Sequence, residues 1–182
     1  MPQFLSRLVV QRRPEPDALM QALVDHVMVH LDSALEQERF KPLGLATGRT
    51  MEPFYGTFVQ RLSAWPASRL ALLKRRWLSF NLDEYVGLTS ADEHSFASYM
   101  QAQLGRPLEL APQQLCLPDG SAGDPSEEAR RYAAAVQEAG GIGLQLLGLG
   151  GNGHVGFNEP PSPAGCGCRV VTLKRATRIQ NA

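Results

Sequence analysis

Cysteine is scarce, with three residues (Cys116, Cys166 and Cys168) in a chain of 182. So few, and an odd number, exclude a disulfide framework and fit a reducing compartment. Cys166-Gly167-Cys168 stands without a second His or Cys cluster beside it, so no metal is assigned. Net charge is also missing, since lysine plus arginine and aspartate plus glutamate number 18 each. No overall positive field draws the chain to nucleic acid or to an anionic membrane. The apolar run at residues 8–10 is too short for a signal-peptide core and far too short to span a bilayer. A cytoplasmic protein with a small-molecule partner is expected, and a homo-oligomer is left open. No internal repeat, low-complexity tract or Pro/Ser linker divides the chain, so residues 1–182 read as a single domain. With 43% hydrophobic and 20% charged residues, that domain has the material for a buried core.

What the sequence does contain is alternation. In residues 16–38 the apolar Leu19, Leu23, Val27, Leu31 and Leu35 recur every four positions, joined by Met20, Val24 and Met28, which predicts an amphipathic helix starting near Asp17. His26 and His30 lie in or beside this stripe, where packing or solvation accounts for a histidine better than chemistry does. Residues 42–46 read as a strand, closed by Thr47-Gly48-Arg49-Thr50, and Phe54, Phe58, Val59 and Leu62 then resume helical spacing. A second unit has its strand at 77–82, its exit loop at 83–92 and its helix at 93–104. Residues 117–124 are loop by their Pro, Gly, Ser and Asp content, and Asp124-Pro125-Ser126-Glu127 opens a helix that ends at Gly140-Gly141. The run 144–149 reads as a buried strand leading into Gly150-Gly151-Asn152-Gly153-His154. This order predicts an α/β fold, a Rossmann-like, mostly parallel sheet flanked by helices. Ligands bind such sheets at the carboxyl ends of the strands, where the three exit loops are expected to converge.

Each loop has its own chemistry. Thr47, Gly48, Arg49 and Thr50 place two hydroxyls, a small residue and a guanidinium at a strand-to-helix turn, where unpaired backbone N–H groups favour an anion such as phosphate. The alternative is an ordinary helix cap by Thr47 or Thr50. Asp83 and Glu84 are adjacent carboxylates at a strand end, and one in a desolvated cleft acquires the raised pKa of a general base. Adjacent strand residues face opposite ways, so one of the two is expected to face a ligand and the other to be structural. In the third loop, glycines around His154 give close backbone approach, and Glu159 is placed to reach back and orient the imidazole.

The segments LGLATGRT (43–50), FNLDEYVGL (80–88), HSF (94–96) and GNGHVGFNEP (151–160), in that order and spacing, resemble the signature stretches of the glucosamine-6-phosphate deaminase family. The resemblance runs on through TLKRATRIQNA. It implies an enzyme of amino-sugar catabolism that converts glucosamine 6-phosphate and water to fructose 6-phosphate and ammonia, without a cofactor, by ring opening and aldose-ketose isomerisation. By that resemblance Thr47, Gly48 and Thr50 hold the sugar phosphate, with Arg49 where many relatives have glycine. Asp83 matches the base that moves the proton between C2 and C1, and Glu84 its structural neighbour. His154 matches the group that promotes ring opening, with Glu159 as its carboxylate partner. Asn152 takes the place of an aspartate found in some members, so an amide orients the histidine there.

Two departures qualify the match. Between residues 162 and 171 only Arg169 matches the basic set with which allosterically controlled relatives bind an activator; Gly167 and Val171 replace basic residues, so that form of activation is not expected. The family also continues past the position of Ala182 with an arginine and a lysine for the substrate phosphate, further strands and helices. An incomplete C-terminal end is therefore expected, with severely weakened phosphate binding and negligible deaminase activity. The rival readings are a 6-phosphogluconolactonase-like hydrolase, whose histidine loop resembles GxDGHTAS and lacks the Phe157-Asn158-Glu159-Pro160 run, and a non-catalytic sugar-phosphate-binding fragment. The sequence does not choose between glucosamine and galactosamine phosphates.

Overall fold

The computed structural model describes residues 9–37, 40–163 and 165–180. The start of the apolar run at residue 8, the expected helix end at residue 38 and the last two residues of the TLKRATRIQNA tail lie outside them. Helix α1 (Pro16–Leu35) starts on a proline, which is tolerated because first-turn N–H groups have no helical acceptor. It buries Val24, Val27, Met28, Leu31, Ala34 and Leu35, whereas Leu19 is 44% exposed. A repeat of four advances about 40° per step on a helix of 3.6 residues per turn, so the first member of the stripe rotates out to solvent.

Strand β1 (Leu43–Leu45) is wholly buried and runs through a 3₁₀ turn (Arg49–Met51) into α2 (Glu52–Ser63). Helix α3 (Ala67–Arg76) leads to β2 (Ser79–Asn81). A long loop then reaches α4 (Phe96–Met100), a π-helical stretch (Gln101–Gly105) and α5 (Arg106–Leu108). Strand β3 (Leu115–Cys116), α6 (Pro125–Glu138), β4 (Leu144–Gln145) and α7 (Arg175–Gln180) complete the order. The sheet order is β3-β2-β1-β4 with every neighbouring pair parallel, in a register that sets Leu43 beside Ser79 and Leu144, and Leu45 beside Asn81. The central strands β1 and β2 are buried throughout, as expected of parallel strands covered on both faces.

One core cluster joins Leu43 and Leu45 to Val24 and Leu31 of α1, Phe54, Phe58 and Leu62 of α2, Trp77 and Met100. Burying each such side chain contributes roughly 1.5–3 kcal/mol. On β2, Phe80 packs edge-on against Tyr132 of α6, with ring centroids 5.7 Å apart. Asp124 caps α6 by accepting from the N–H groups of Ser126 and Glu127, as its acidic, proline-led start predicts.

The α/β alternation read from the sequence holds, with differences in detail. Helix α3 and strand β3 were not foreseen. The helix expected at 93–104 starts instead at Phe96, capped by Ser95, whose hydroxyl accepts from Ser98 N–H. It continues to Leu108, and its ladder widens to π spacing ahead of Pro107, which has no N–H to extend the α register. The run 144–149 is strand only at Leu144–Gln145, on the sheet's edge, and Leu147 and Leu149 are 55% and 79% exposed. Among the described residues no helix is long and apolar enough to cross a membrane. No group of three or more His, Cys, Asp and Glu among them is placed to hold a metal.

Candidate active site

The first loop begins where β1 ends. Tyr55 of α2 donates its hydroxyl to Ala46 O at 2.6 Å, and Tyr99 of α4 donates to Gly48 O at 2.9 Å. Gly48 has a φ of 106°, a left-handed conformation that favours glycine. Neither the 3₁₀ turn nor α2 has a side-chain cap, so Thr47 and Thr50 are not used as ordinary caps. The Arg49 and Thr50 side chains are exposed.

The second loop leaves β2. The Glu84 carboxylate accepts three backbone N–H groups, from Tyr85 at 2.8 Å, Phe96 at 3.0 Å and Ala97 at 2.9 Å. It thereby ties the loop to the start of α4. Asp83 differs in kind. Burial first, and then the charge of Glu84, push its carboxyl up from 3.8 to about 7, against a smaller lowering by a hydrogen bond from Phe157 N–H. Of the two adjacent acids, Glu84 is spent on structure and Asp83 is left poised near neutrality. On α6, the buried Glu128 pairs with Arg131 at 2.5 Å and accepts from Asp119 N–H at 2.8 Å. That braces the 118–120 turn, whose Gly120 O accepts from Gly87 N–H at 2.7 Å and supports the second loop from outside.

The third loop folds tightly around its histidine. A Cβ on Gly150 would stand 2.1 Å from the imidazole Cε1 of His154, so a side chain there would push the ring from its place. Asn152 Oδ1 lies 3.1 Å from His154 N and 2.6 Å from His154 Nδ1. A backbone N–H only donates, so this atom is the amide oxygen; the ring therefore carries its proton on Nδ1, and Nε2 is the open nitrogen of the neutral imidazole. The Asn152 amide in turn hydrogen-bonds Glu159. Glu159 is buried and also accepts from Thr177 Oγ1 and from Lys174 N–H at 2.8 Å. These donors, Thr177 first, hold its carboxyl below the usual range. Glu159 thus reaches the imidazole through Asn152, where the sequence reading had it reach the ring itself.

The second and third loops meet directly. Phe157 N–H bonds Asp83, and a Cβ on Gly156 would lie 3.0 Å from Asp83 Oδ2. Tyr85, Phe96 and Phe157 form a triangle of rings with centroids 4.9 to 5.7 Å apart. Asp83 and Phe157 line a cleft of about 610 Å³ with Tyr132 of α6 and Cys168. Thr47, Gly48, Arg49, Thr50 and His154 stand outside its wall. The first loop joins the others through α4, whose Tyr99 holds Gly48 while Phe96 and Ala97 hold the second and third. Tyr55, Tyr99, Lys174 and Thr177 are the supports that sequence reasoning missed.

The family model for glucosamine-6-phosphate isomerases/6-phosphogluconolactonase matches residues 14–158. A glucosamine-6-phosphate deaminase of Shouchella clausii is 41% identical over 140 residues, covering 77% of this chain and 55% of its own length. One from Rhodopirellula baltica is 42% identical over 151 residues, covering 81% and 58%. The chain thus spans little more than half the length of these curated relatives. A solved structure described as a monomeric glucosamine-6-phosphate deaminase superposes with a TM-score of 0.80 at 34% identity, over 96% of this chain and 69% of that one. The 6-phosphogluconolactonase of Thermotoga maritima, at 19% identity and a TM-score of 0.62 over 76% of this chain and 60% of its own, shares the fold. Match and superposition agree that the chain belongs to the glucosamine-6-phosphate isomerase/6-phosphogluconolactonase family.

Proposed function

We propose that this chain carries the ring-opening and proton-transfer groups of a glucosamine-6-phosphate deaminase. The observation that carries the reading is Asp83, a half-buried carboxyl two residues past β2 with its pKa raised to about 7 and tied by Phe157 N–H to the loop that bears His154. A base with a pKa near the working pH combines a useful ionised fraction with enough basicity to take a carbon-bound proton.

In this scheme the phosphate sits on the Thr47, Gly48, Arg49 and Thr50 turn. His154 Nε2 takes the anomeric hydroxyl proton, and the imidazolium returns it to the ring oxygen as the C1–O5 bond breaks, which opens the sugar. Asn152 holds Nδ1–H, and the ionised Glu159 behind it favours the imidazolium that forms. Asp83 then removes the C2 proton and returns it to C1, while a proton passes from the amine to O1. The resulting C2 imine takes up water and loses ammonia, leaving the ketose phosphate.

Two NMR experiments separate the roles. Exchange between the α and β anomers of glucosamine 6-phosphate, followed by NMR, reads ring opening, and deuterium uptake at C2 and C1 in D₂O reads proton transfer. His154→Gln is expected to slow the first, and Asp83→Asn to abolish the second while sparing the first. Hydrolysis of 6-phosphogluconolactone without ammonia release from the amino sugar would replace this reading with the hydrolase one.

A further inference from the structure

We propose that Tyr99 is a positioning residue for the phosphate loop, its hydroxyl fixing the Gly48–Arg49 peptide so that the Arg49 N–H faces the ligand. The proposal rests on the reading that this turn holds the substrate phosphate.

In a trans peptide the carbonyl and the following N–H point in opposite directions. Gly48 O accepts from the Tyr99 hydroxyl at 2.9 Å and from Met51 N–H at 2.9 Å, so it is doubly held on the side of α4 and the first helical turn. The Arg49 N–H is therefore directed away from both, out of the N-terminal end of the turn, where an anion is favoured. Tyr55 does the same two peptides earlier by holding Ala46 O, which directs the Thr47 N–H. The two rings meet edge to face with centroids 6.1 Å apart and brace each other. Gly48 needs this restraint, because glycine at a φ of 106° is the most freely rotating residue type and its backbone alone does not fix the peptide.

Tyr99 also has the right chemistry to be a permanent donor. Partial burial first, and then the charge of Glu52, hold its phenol well above the ordinary value, so it stays protonated wherever the enzyme works. It is half-buried and does not belong to the loop it holds. Because Tyr99 shares α4 with Phe96 and Ala97, the phosphate loop is set by the same helix that Glu84 caps and Phe157 packs against.

The test uses the full chain and its Tyr99→Phe variant, which keeps the ring and removes only the hydroxyl. Both are titrated with inorganic phosphate and with glucosamine 6-phosphate while the amide resonances of residues 47–50 are followed, and thermal unfolding is recorded for each. The wild-type chain is expected to show a downfield shift of the Arg49 N–H on phosphate addition. The variant is expected to lose most of that shift and to bind either phosphate about tenfold more weakly, the loss typical of one hydrogen bond. Equal shifts and affinities in the two proteins, whatever their unfolding temperatures, overturn the positioning role and leave the functional reading standing. A wild-type chain whose residues 47–50 do not respond to either phosphate overturns both.

Discussion

Asp83 carries the sharpest consequences at the level of single residues. Its carboxyl titrates near 7 in the fold and at 3.8 as an ordinary carboxylate, so the folded chain holds a proton that the unfolded chain has released between these values. Ionising Asp83 therefore costs stability progressively as pH rises from about 4 to about 7. The cost is fully felt above that window and absent below it. Asn at this position stays neutral and keeps an oxygen to accept from Phe157 N–H. Asp83→Asn is accordingly expected to lower C2 proton exchange by about 10²- to 10⁴-fold, while raising the melting temperature at pH 8 and leaving it unchanged at pH 4. An unchanged melting temperature at pH 8 would show that Asp83 is solvated after all. The wild-type exchange rate should climb with pH and level off above about 7. Asn152 offers a second check, because its amide oxygen dictates the His154 tautomer. Asn152→Ala is expected to release the proton from Nδ1 and populate the Nε2–H form, visible in the imidazole ¹⁵N shifts; a wild-type ring already in the Nε2–H form would contradict the assignment.

Among the elements, α4 is short but touches all three loops, and Glu84 is its anchor. In Glu84→Gln the oxygen that serves Tyr85 and Phe96 survives, but an amide NH₂ replaces the oxygen that accepts from Ala97 N–H. Losing that acceptor is expected to cost about 1–3 kcal/mol and to speed hydrogen exchange at Ala97. Removing the charge also eases ionisation of Asp83, so the pH midpoint of C2 exchange should move down. A stable variant with unaltered Ala97 exchange would mean that α4 does not depend on this cap. The helices legible in the sequence are α1 and α2 by their buried stripe, α6 by its acidic, proline-led start and Gly140-Gly141 end, and the helix expected at 93–104, which is found from Phe96 to Leu108. Helix α3 escaped because only Leu73 of its ten residues is buried, and β3 because two residues are too few for a pattern. The loops were legible because glycine, histidine and acids punctuate strand ends. Their supports were not, since Tyr99 reaches Gly48 across 51 positions and Thr177 reaches Glu159 across 18. Only the folded chain makes those pairs neighbours.

For the molecule as a whole, the distribution of apolar surface matters more than any single contact. The core gathers around β1, with α1, α2 and α4 supplying its side chains. Among the described residues strand β4 pairs with β1 alone, and the chain leaving it exposes Leu147 and Leu149. An open strand edge beside exposed leucines favours association, since it offers both unpaired backbone groups and apolar area to another surface. The sequence presented the same residues as a buried run; apolar character predicts a wish for cover, and the sheet's order decides whether cover arrives. The chain is therefore expected to associate as its concentration rises, and the double variant Leu147→Lys, Leu149→Lys to remain monomeric over the same range in sedimentation velocity. Lysine at these exposed positions disturbs no core packing, so the two proteins should melt within a few degrees of each other at low concentration. If the wild-type chain sediments as one species at every concentration, the exposed edge is inert, and the leucines are ordinary scattered surface residues.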